Sequence, residues 1–334
     1  MSSTVTPATG SFASLPPKIP VGDAAELFNA LDALRKGMNA VIRGKKSVIE
    51  WMLLAVLAES SVLLEDVPGV GKTTLAKSFA ASVDLQFQRV QCTPDLLPSD
   101  ILGFNTFQPA DGSFAFNPGP IFTNLLLVDE INRASPRTQS ALLEAMAERQ
   151  VTIEGTRHAL PSPFLVIATQ NPHGFAGTFP LPESQLDRFL FQLSMDYPDA
   201  DSEALLLLEQ ANSNPMASIR PAIDHAQLLR CQQFVRSVHV ERVVVDYLVQ
   251  IVHATRNHSR LELGASTRGA QLLFRAAQAR AFADRRLFVL PDDVQYLAPL
   301  VLSHRVTTKD GQPLDARANR ELLTEICGSI SVPT

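Results

Sequence analysis

The segment from Asp66 to Thr74 has the residue types and the spacing of a loop that binds phosphate. It follows the apolar run Val62–Leu64 and precedes a helix-forming run, which is the strand–loop–helix setting that such loops require. Glycines allow consecutive backbone N–H groups to turn towards a phosphate, and the following helix adds the positive end of its dipole. Lys72 would then reach the β- and γ-phosphates of a nucleotide, and the Thr73 hydroxyl would ligate Mg²⁺. The residues expected to hold ATP in this loop are Pro68, Gly69, Val70, Gly71, Lys72, Thr73 and Thr74.

Polar side chains also follow two further apolar strand patterns. Asp129 and Glu130 come directly after Leu125–Val128, and Asn171 closely follows Phe164–Thr169. In a parallel sheet the carboxyl ends of the strands meet at one edge, so these groups would lie beside the phosphate loop. Asp129 would bind ATP through Mg²⁺, partly by way of water, while Glu130 would polarise the attacking water and Asn171 would orient it. Three strand ends of this kind predict ATP hydrolysis.

The composition argues against several classes of protein. The chain has 334 residues, of which 46% are hydrophobic and 19% charged, as in soluble globular proteins of two or three domains. Its net charge of −5 gives no electrostatic footprint for nucleic acid or an anionic membrane, so nucleic acid is an unexpected partner. The three cysteines are far apart, which argues against a zinc knuckle or a disulfide framework. No apolar run approaches the roughly 20 residues that a membrane-spanning helix needs, so we expect a cytoplasmic protein.

Strand and helix patterns alternate through residue 197, which predicts an α/β core with a five-stranded parallel sheet covered on both faces. The five strand candidates are Ser61–Leu64, Phe87–Cys92, Asn124–Val128, Phe164–Thr169 and Phe189–Met195. The helices predicted in this part are Asp23–Lys36, Lys46–Ala58, Thr73–Val83 and Ser135–Ala147. We assign the core to residues 21–197, after a tail at residues 1–20 that is rich in Ser, Thr, Ala and Pro and is expected to be disordered.

Two insertions with hairpin patterns interrupt the core, near residues 103–118 and 149–161. Turn signals lie at Ala110–Ser113 in the first and at Glu154–Gly155 in the second. Both could be passive surface hairpins. In an ATPase core, however, such loops are also the natural surface for contact with a client protein.

A helical domain is predicted over residues 198–334, with one brief strand pattern at Leu287–Leu290. Ser266 is placed to cap a helix that carries Arg268 in its first turn, and this end of a helix can face phosphate. The predicted helices are Ser202–Ala211, Asp224–Arg236, Glu241–His258, Thr267–Ala283 and Asp292–Arg305.

Four motifs together resemble the MoxR family of AAA+ ATPases, over nearly the whole chain. They are the Walker A segment Glu65–Thr73, the segment Asp129–Ala134 that ends the Walker B strand, Gly177–Glu183, and Gln185–Phe189. Aspartate at position 66, where the general phosphate loop has glycine, is ordinary for that family. The resemblance implies an AAA+ P-loop NTPase core followed by an all-α lid.

The resemblance also implies roles that spacing alone does not show. Arg188 resembles the arginine finger, which acts in trans on the nucleotide of a neighbouring subunit, and Arg268 resembles the sensor-2 arginine of the lid. Arg133 is a candidate for the subunit interface. The adenine pocket of the family is lined by the segment that corresponds to Val41, Ile42 and Gly44, although apolar residues before a helix are also typical of plain core. In sensor 2 this chain has Thr267 and Gly269 where the family often has Pro and Ala.

The predicted function is that of a MoxR-type ATPase, which couples hydrolysis in a homo-oligomeric ring, expected to be a hexamer, to remodelling of client proteins. The family implies maturation or metal-cofactor insertion, often with a partner that has a von Willebrand factor A domain. Alternatives are a magnesium-chelatase-like AAA+ motor subunit, a DNA-remodelling AAA+ motor, and a scaffold that binds ATP without turnover. The predicted cofactors are ATP and Mg²⁺.

Overall fold

The structure, a computed structural model, describes residues 21–67, 69–110, 112–171, 177–197, 200, 203–204, 219–309 and 316–333. Three predictions lie outside this part of the chain: the tail at residues 1–20, the contact of Pro68 with nucleotide, and nearly all of the helix Ser202–Ala211.

Helices and strands alternate up to residue 193, and helices dominate after it. The helices are α1 Val21–Val41, α2 Lys46–Leu57, α3 Lys72–Ser82, α4 Pro98–Leu102, α5 Pro136–Glu148, α6 Glu183–Leu186, α7 His225–Ser237, α8 Arg242–Arg256, α9 Thr267–Ala283, α10 Pro291–Leu302 and α11 Ala316–Gly328. The strands are β1 Ser61–Glu65, β2 Phe87–Gln91, β3 Gly103–Gln108, β4 Ser113–Pro118, β5 Leu125–Asp129, β6 Gln150–Ile153, β7 Thr156–Ala159, β8 Leu165–Gln170, β9 Phe189–Leu193, β10 Leu261–Leu263 and β11 Thr307–Thr308.

Five strands form one parallel sheet in the order β2-β5-β8-β1-β9. Successive side chains of a strand point to opposite faces, and both faces of this sheet are buried. Along β5, Leu125 and Leu127 pack in one apolar cluster, while Leu126 and Val128 pack in the other. The continuous apolar runs of the sequence are therefore explained, and the predicted five-stranded parallel sheet is confirmed.

Both insertions are antiparallel hairpins, β3–β4 and β6–β7, and they contact each other. Asn105 Nδ2 donates to Glu154 Oε2 at 2.8 Å, and the Phe116 ring stacks on His158 with 3.9 Å between centroids. The rings of Phe107 and Phe114 pair at 5.5 Å near the tip of the first hairpin. The hairpins thus form one connected surface.

The structure differs from the predicted helices in two places. Helix α1 does not end near Lys36 but continues to Val41, because Met38 extends the buried stripe of Leu27, Leu31 and Leu34. Helix α11 was not predicted. It packs on the lid through the buried side chains Leu322, Leu323, Ile326 and Cys327.

The lid is helical, as predicted, with one short addition. β10 and β11 pair as an antiparallel ribbon. The strand pattern at Leu287–Leu290 contributes only an isolated bridge between Phe288 and His239. Because α9 packs on α2, α7, α8 and α10, the lid and the core share one apolar cluster.

Candidate functional site

The phosphate loop joins β1 to α3 and has the backbone shape that its glycines predict. Gly69 has φ +91° and Gly71 has φ +96°, where a side chain would be strained although space is open around both. Gly71 is the N-terminal cap of α3, so the helix begins at Lys72. The Lys72 ammonium donates to the carbonyl oxygens of Asp66 at 2.7 Å and Val67 at 3.2 Å. The Lys72 side chain therefore folds back onto the loop that precedes it in the chain.

Carboxylates surround Lys72. Burial lowers the pKa of the Lys72 ammonium, whereas the negative charges of Asp66, Asp129 and Glu130 act in the opposite direction. The structure therefore brings the ends of β1 and β5 together, as the parallel arrangement predicts. Thr73 and Thr74 lie in the first turn of α3, half-buried and exposed respectively, and Val70 packs against the apolar core.

Asp129 is buried at the end of β5 and has two side-chain partners. Thr169 Oγ1 lies 3.2 Å from Asp129 Oδ1, and Arg89 Nε donates to Asp129 Oδ2 at 2.6 Å. Thr169 also accepts the Glu130 N–H at 2.9 Å. Arg89 and Thr169 are site residues that were not predicted. Thr169 could have been found as a polar residue near the end of the apolar strand β8, whereas Arg89 lies in the middle of β2 and gives no such signal.

Glu130 and Asn171 lie at the same edge of the sheet. Glu130 has φ +55°, and its carboxylate accepts from Arg133 Nη1 at 3.0 Å. The Asn171 carbonyl accepts from Asn132 Nδ2 at 3.4 Å, immediately after β8. Lys72, Asp129, Glu130 and Asn171 thus come from three neighbouring strand ends, which is the arrangement predicted from their spacing.

The contacts of Asp66 explain why this position is not glycine, as it is in the general loop pattern. Asp66 is 5% exposed, and its carboxylate accepts three hydrogen bonds, from Ser194 Oγ at 2.8 Å, Met195 N at 2.5 Å and Asp196 N at 3.2 Å. These partners directly follow β9, the strand that leads towards the lid. A glycine at position 66 would leave the buried N–H of Met195 without this acceptor, whereas the exposed Asp196 N–H also donates to Ser194 Oγ at 3.3 Å.

The segment expected to line the adenine pocket is partly buried and partly exposed. Val41 and Ile42 are buried in the main apolar cluster, as the plain-core alternative holds, whereas Gly44 is exposed with φ +70°. Next to it, Lys45 Nζ donates to the Tyr197 carbonyl at 2.9 Å. The segment is therefore tied to the chain that follows β9, on the side of the sheet where the phosphate loop lies.

Arg188 and Arg268 lie together at the opposite edge of the sheet. Both line a cavity of about 730 Å³ that also contains Arg149, Arg275 and Ser61, the first residue of β1. Strands rise about 3.3 Å per residue, so the two ends of the five-residue β1 are roughly 15 Å apart. The two arginines of this edge therefore face away from the phosphate loop of their own chain.

The cavity is strongly cationic. Of its described lining residues, four are arginines and a single one, Glu59, is acidic. Burial lowers the pKa of Arg149 and of Arg275. Arg188 Nη1 donates to the Leu143 carbonyl, while Nε is buried and has no hydrogen-bond partner among the described residues. An anionic ligand would complete this arrangement.

Comparisons with known proteins agree with this geometry. Residues 61–191 match the family model described as ATPase family associated with various cellular activities (AAA), and residues 253–326 match the AAA lid domain. Chaperone MoxR1 of Mycobacterium tuberculosis is 36% identical over 97% of this chain and 89% of its own length. Protein MoxR of Paracoccus denitrificans is 30% identical over 80% and 86%, respectively.

The chain belongs to the MoxR family of AAA+ ATPases. An uncharacterised Bacillus subtilis protein, YeaC, is 45% identical over 89% of this chain and 92% of its own length. The crystal structure of a candidate ATPase from Cytophaga hutchinsonii superposes with a TM-score of 0.85 and 34% identity, covering 94% of this chain and 98% of that one. This MoxR-family protein is thus an ATPase with an α/β AAA+ core and a helical lid.

In the described part of the chain, no helix has the length and apolar character needed to cross a membrane. The same residues contain no cluster of three or more His, Cys, Asp or Glu side chains suited to a metal ion.

Proposed function

We propose that this ATPase hydrolyses ATP at the interfaces of a homo-oligomeric ring, expected to be a hexamer, and uses turnover to remodel client proteins. The main observation behind the proposal is that the two halves of the site lie at opposite ends of the strands, one strand length apart. Lys72 and Glu130 lie at one edge of the sheet, and Arg188 and Arg268 lie at the other. A head-to-tail ring is the arrangement that brings the arginine edge of one subunit to the phosphate loop of the next.

Each group has a separate task in this proposal. The loop N–H groups and Lys72 hold the phosphates. Glu130 accepts a proton from the attacking water, and Asn171 orients that water. Arg188 and Arg268 of the neighbouring subunit stabilise the negative charge that develops on the transferred phosphoryl group. Arg133 contacts Glu130 in the described structure, so it is also placed to influence the orientation of this carboxylate.

The residues at the strand ends fit a magnesium ion. Asp129 offers a carboxylate that is already oriented by Thr169, and Thr73 offers a hydroxyl in the first turn of α3. Oxygen ligands of this kind are those that Mg²⁺ prefers, with water completing the shell. Bound there, the ion would neutralise charge on the β- and γ-phosphates.

The hairpins β3–β4 and β6–β7 are the proposed client surface. Phe104, Phe107 and Phe114 expose 53%, 53% and 67% of their surface on the first hairpin. Exposed apolar groups clustered in this way are typical of surfaces that contact other proteins. Hydrolysis removes the γ-phosphate that ties Lys72 to Arg188 of the next subunit, which changes the relative positions of subunits and hairpins.

Family resemblance supplies the cellular part of the proposal. Clients would be proteins that need maturation or metal-cofactor insertion, with help from a partner that contains a von Willebrand factor A domain. We propose that the protein acts in the cytoplasm. The free state of Cys92, Cys231 and Cys327 supports a reducing compartment.

The decisive experiment measures specific ATPase activity against protein concentration for wild type, Arg188→Ala and Glu130→Gln. Activity per subunit should rise with concentration as rings form, and both variants should lose about 100-fold or more in turnover while still binding ATP. Arg242→Ala is the matched control, since Arg242 lies on the lid and pairs only with the exposed Asp246 among its described contacts. Concentration-independent activity that survives Arg188→Ala would overturn the shared-site proposal.

The client surface has its own test. A photo-crosslinking amino acid at position 114 should capture reduced casein, a permanently unfolded probe, in the presence of ATP. The same amino acid at position 288 is the control, because Phe288 is also 52% exposed but lies on the lid. Equal capture at both positions would contradict a specific role for the hairpin.

A further inference from the structure

The turn that carries Arg188 is held by the lid. This turn lies between α6 and β9, and its preceding residue, Asp187, has partners in two lid segments. Asp187 Oδ1 accepts from Arg305 Nε at 2.9 Å. The Ser266 hydroxyl lies 3.1 Å from Asp187 Oδ1 and 3.0 Å from Oδ2. One carboxylate therefore connects three distant parts of the chain.

Arg305 fixes the backbone of the same turn. Its guanidinium is buried and donates to the Asp187 carbonyl at 3.1 Å, to the Leu190 carbonyl at 3.4 Å, and also to the carbonyls of Phe189 and Val301. Burial lowers the pKa of Arg305 to about 10, and Asp187 acts to raise it. The group is thus charged at neutral pH, and a buried charge of this kind depends strongly on its acidic partner.

Ser266 links Asp187 to the helical turn that contains Arg268. Its hydroxyl accepts the Gly269 N–H at 2.9 Å and caps α9, so Arg268 lies in the turn that Ser266 fixes. A Cβ at Gly269 would approach Arg305 Cδ to 3.0 Å. The close approach of α9 to Arg305 explains glycine at this position, where the family often has alanine.

We propose that Asp187 is a positioning residue, which holds Arg188 and Arg268 in one fixed arrangement so that both reach the nucleotide of the neighbouring subunit. The inference rests on the proposed function, because it assigns a purpose to the trans-acting arginines. Both arginines line the same cavity, and Asp187 is bonded to the cap of one and is adjacent in sequence to the other. Displacing a catalytic group by about 1 Å can cost about 100-fold in rate, so such anchoring has a measurable effect.

The first test separates turnover from binding. Asp187→Asn should lower kcat about 100-fold while the KM for ATP changes by less than about threefold, because its own phosphate loop lies at the other edge. Adding Arg188→Ala to Asp187→Asn should cause little further loss, since residues that act as a unit are not additive. Glu325→Gln is the matched control, because it neutralises another lid carboxylate that pairs with an arginine, at an exposed site.

A milder variant guards against loss of folding. Ser266→Ala keeps the ion pair between Asp187 and Arg305 and removes only the hydroxyl contacts. It should lower kcat by about tenfold, again at nearly constant KM. If Asp187→Asn and Ser266→Ala both fold and turn over ATP at the wild-type rate, the inference is wrong.

The second test is complementation in mixed rings. Glu130→Gln subunits cannot hydrolyse ATP but present an intact arginine edge, whereas Asp187→Asn subunits have the reverse defect. A random equal mixture should recover about a quarter of wild-type activity, since half of the subunits hydrolyse and half of those have a competent neighbour. No recovery, with both variants folded and assembled, would mean that Asp187 acts on its own site or only on the fold.

These results also distinguish the inference from the proposed function. Full activity of Arg188→Ala would overturn both. An inactive Arg188→Ala beside a fully active Asp187→Asn would overturn only the positioning role.

Discussion

The two edges of the central sheet are built in different ways. At the edge with the phosphate loop, the key side chains follow their strands directly, within a few residues of a recognisable motif. At the edge with the arginines, Arg188 and Arg268 are 80 positions apart in the sequence and are joined by Asp187, Ser266 and Arg305. The first edge depends on local backbone shape, and the second depends on contacts between the core and the lid.

This difference predicts two kinds of defect. Loss of a group that contacts the phosphates, such as Lys72, should weaken the binding of ATP by the same subunit, whereas loss of Glu130, which acts on the attacking water, should leave binding intact. Damage to the arginine edge should slow turnover while binding persists, because its groups act on a neighbour.

Lys72→Ala should have the largest effect. It removes the cation that lies between three carboxylates and the loop carbonyls, so ATP affinity should fall at least about 100-fold and turnover about 1,000-fold. Fluorescent-nucleotide titration and phosphate release measure the two quantities. Lys77→Ala is the matched control, because Lys77 is an exposed lysine on the same helix. Tight binding by Lys72→Ala would remove the contrast between the edges.

Asp66→Gly, which restores the general loop pattern, should destabilise the phosphate edge despite that match. The change leaves the buried N–H of Met195 without its acceptor, which costs about 2 kcal/mol of unfolding free energy, whereas the exposed Asp196 N–H still donates to Ser194 Oγ. Urea unfolding measures this loss, and the KM for ATP should rise about tenfold as the loop loosens. Ser194→Ala, which removes one of the three bonds, should show a smaller loss. An Asp66→Gly protein as stable as wild type would show that the carboxylate has no structural role.

Acid should loosen the arginine edge. Burial lowers the pKa of His304, beside Arg305, well below its ordinary value of 6.5, so the folded protein holds the neutral imidazole. The unfolded chain binds this proton first as the pH falls through 6.5. The contribution to stability is therefore complete above pH 6.5 and is lost below it, by up to about 1.4 kcal/mol per pH unit.

Urea unfolding at pH 8.0, 6.5 and 5.5 checks this dependence. His304→Gln should reduce the slope between pH 6.5 and 5.5 relative to wild type. Equal slopes in the two proteins would place the acid sensitivity elsewhere in the chain.

Gly269→Ala should have the smallest effect on stability. The new Cβ would lie 3.0 Å from Arg305 Cδ, and overpacking of this size costs about 1 kcal/mol. Gly37→Ala is the matched control, because its Cβ would meet nothing within 4 Å in the interior of α1 and should stabilise the helix slightly. The melting temperature should fall by about 2 °C for the first variant and not for the second. A stabilised Gly269→Ala would mean that Arg305 shifts without cost.

The sequence was most informative where the structure is locally determined. Each of the five predicted sheet strands overlaps an observed strand, and the predicted helix Thr267–Ala283 has the observed bounds of α9. Helix α11 was missed because its buried residues come together on one side only once the helix has formed. Its start also follows the helix breakers Gly311 and Pro313. Arg89 was missed because an arginine within a strand pattern gives no sign of the acidic partner, which lies 40 residues away.

The phosphate edge of this ATPase can be predicted from local sequence patterns. Glycines that require positive φ, a lysine at a helix start and acidic residues at a strand end act within short stretches of chain, and parallel pairing then brings those stretches together. The arginine edge, in contrast, is formed by contacts between segments that are distant in sequence. Whether Arg188 and Arg268 share one cavity depends on how the lid packs on the core. That packing involves the half-buried Asp187 carboxylate and the buried Arg305 guanidinium from distant segments, and the guanidinium depends on this partner because it has lost its water.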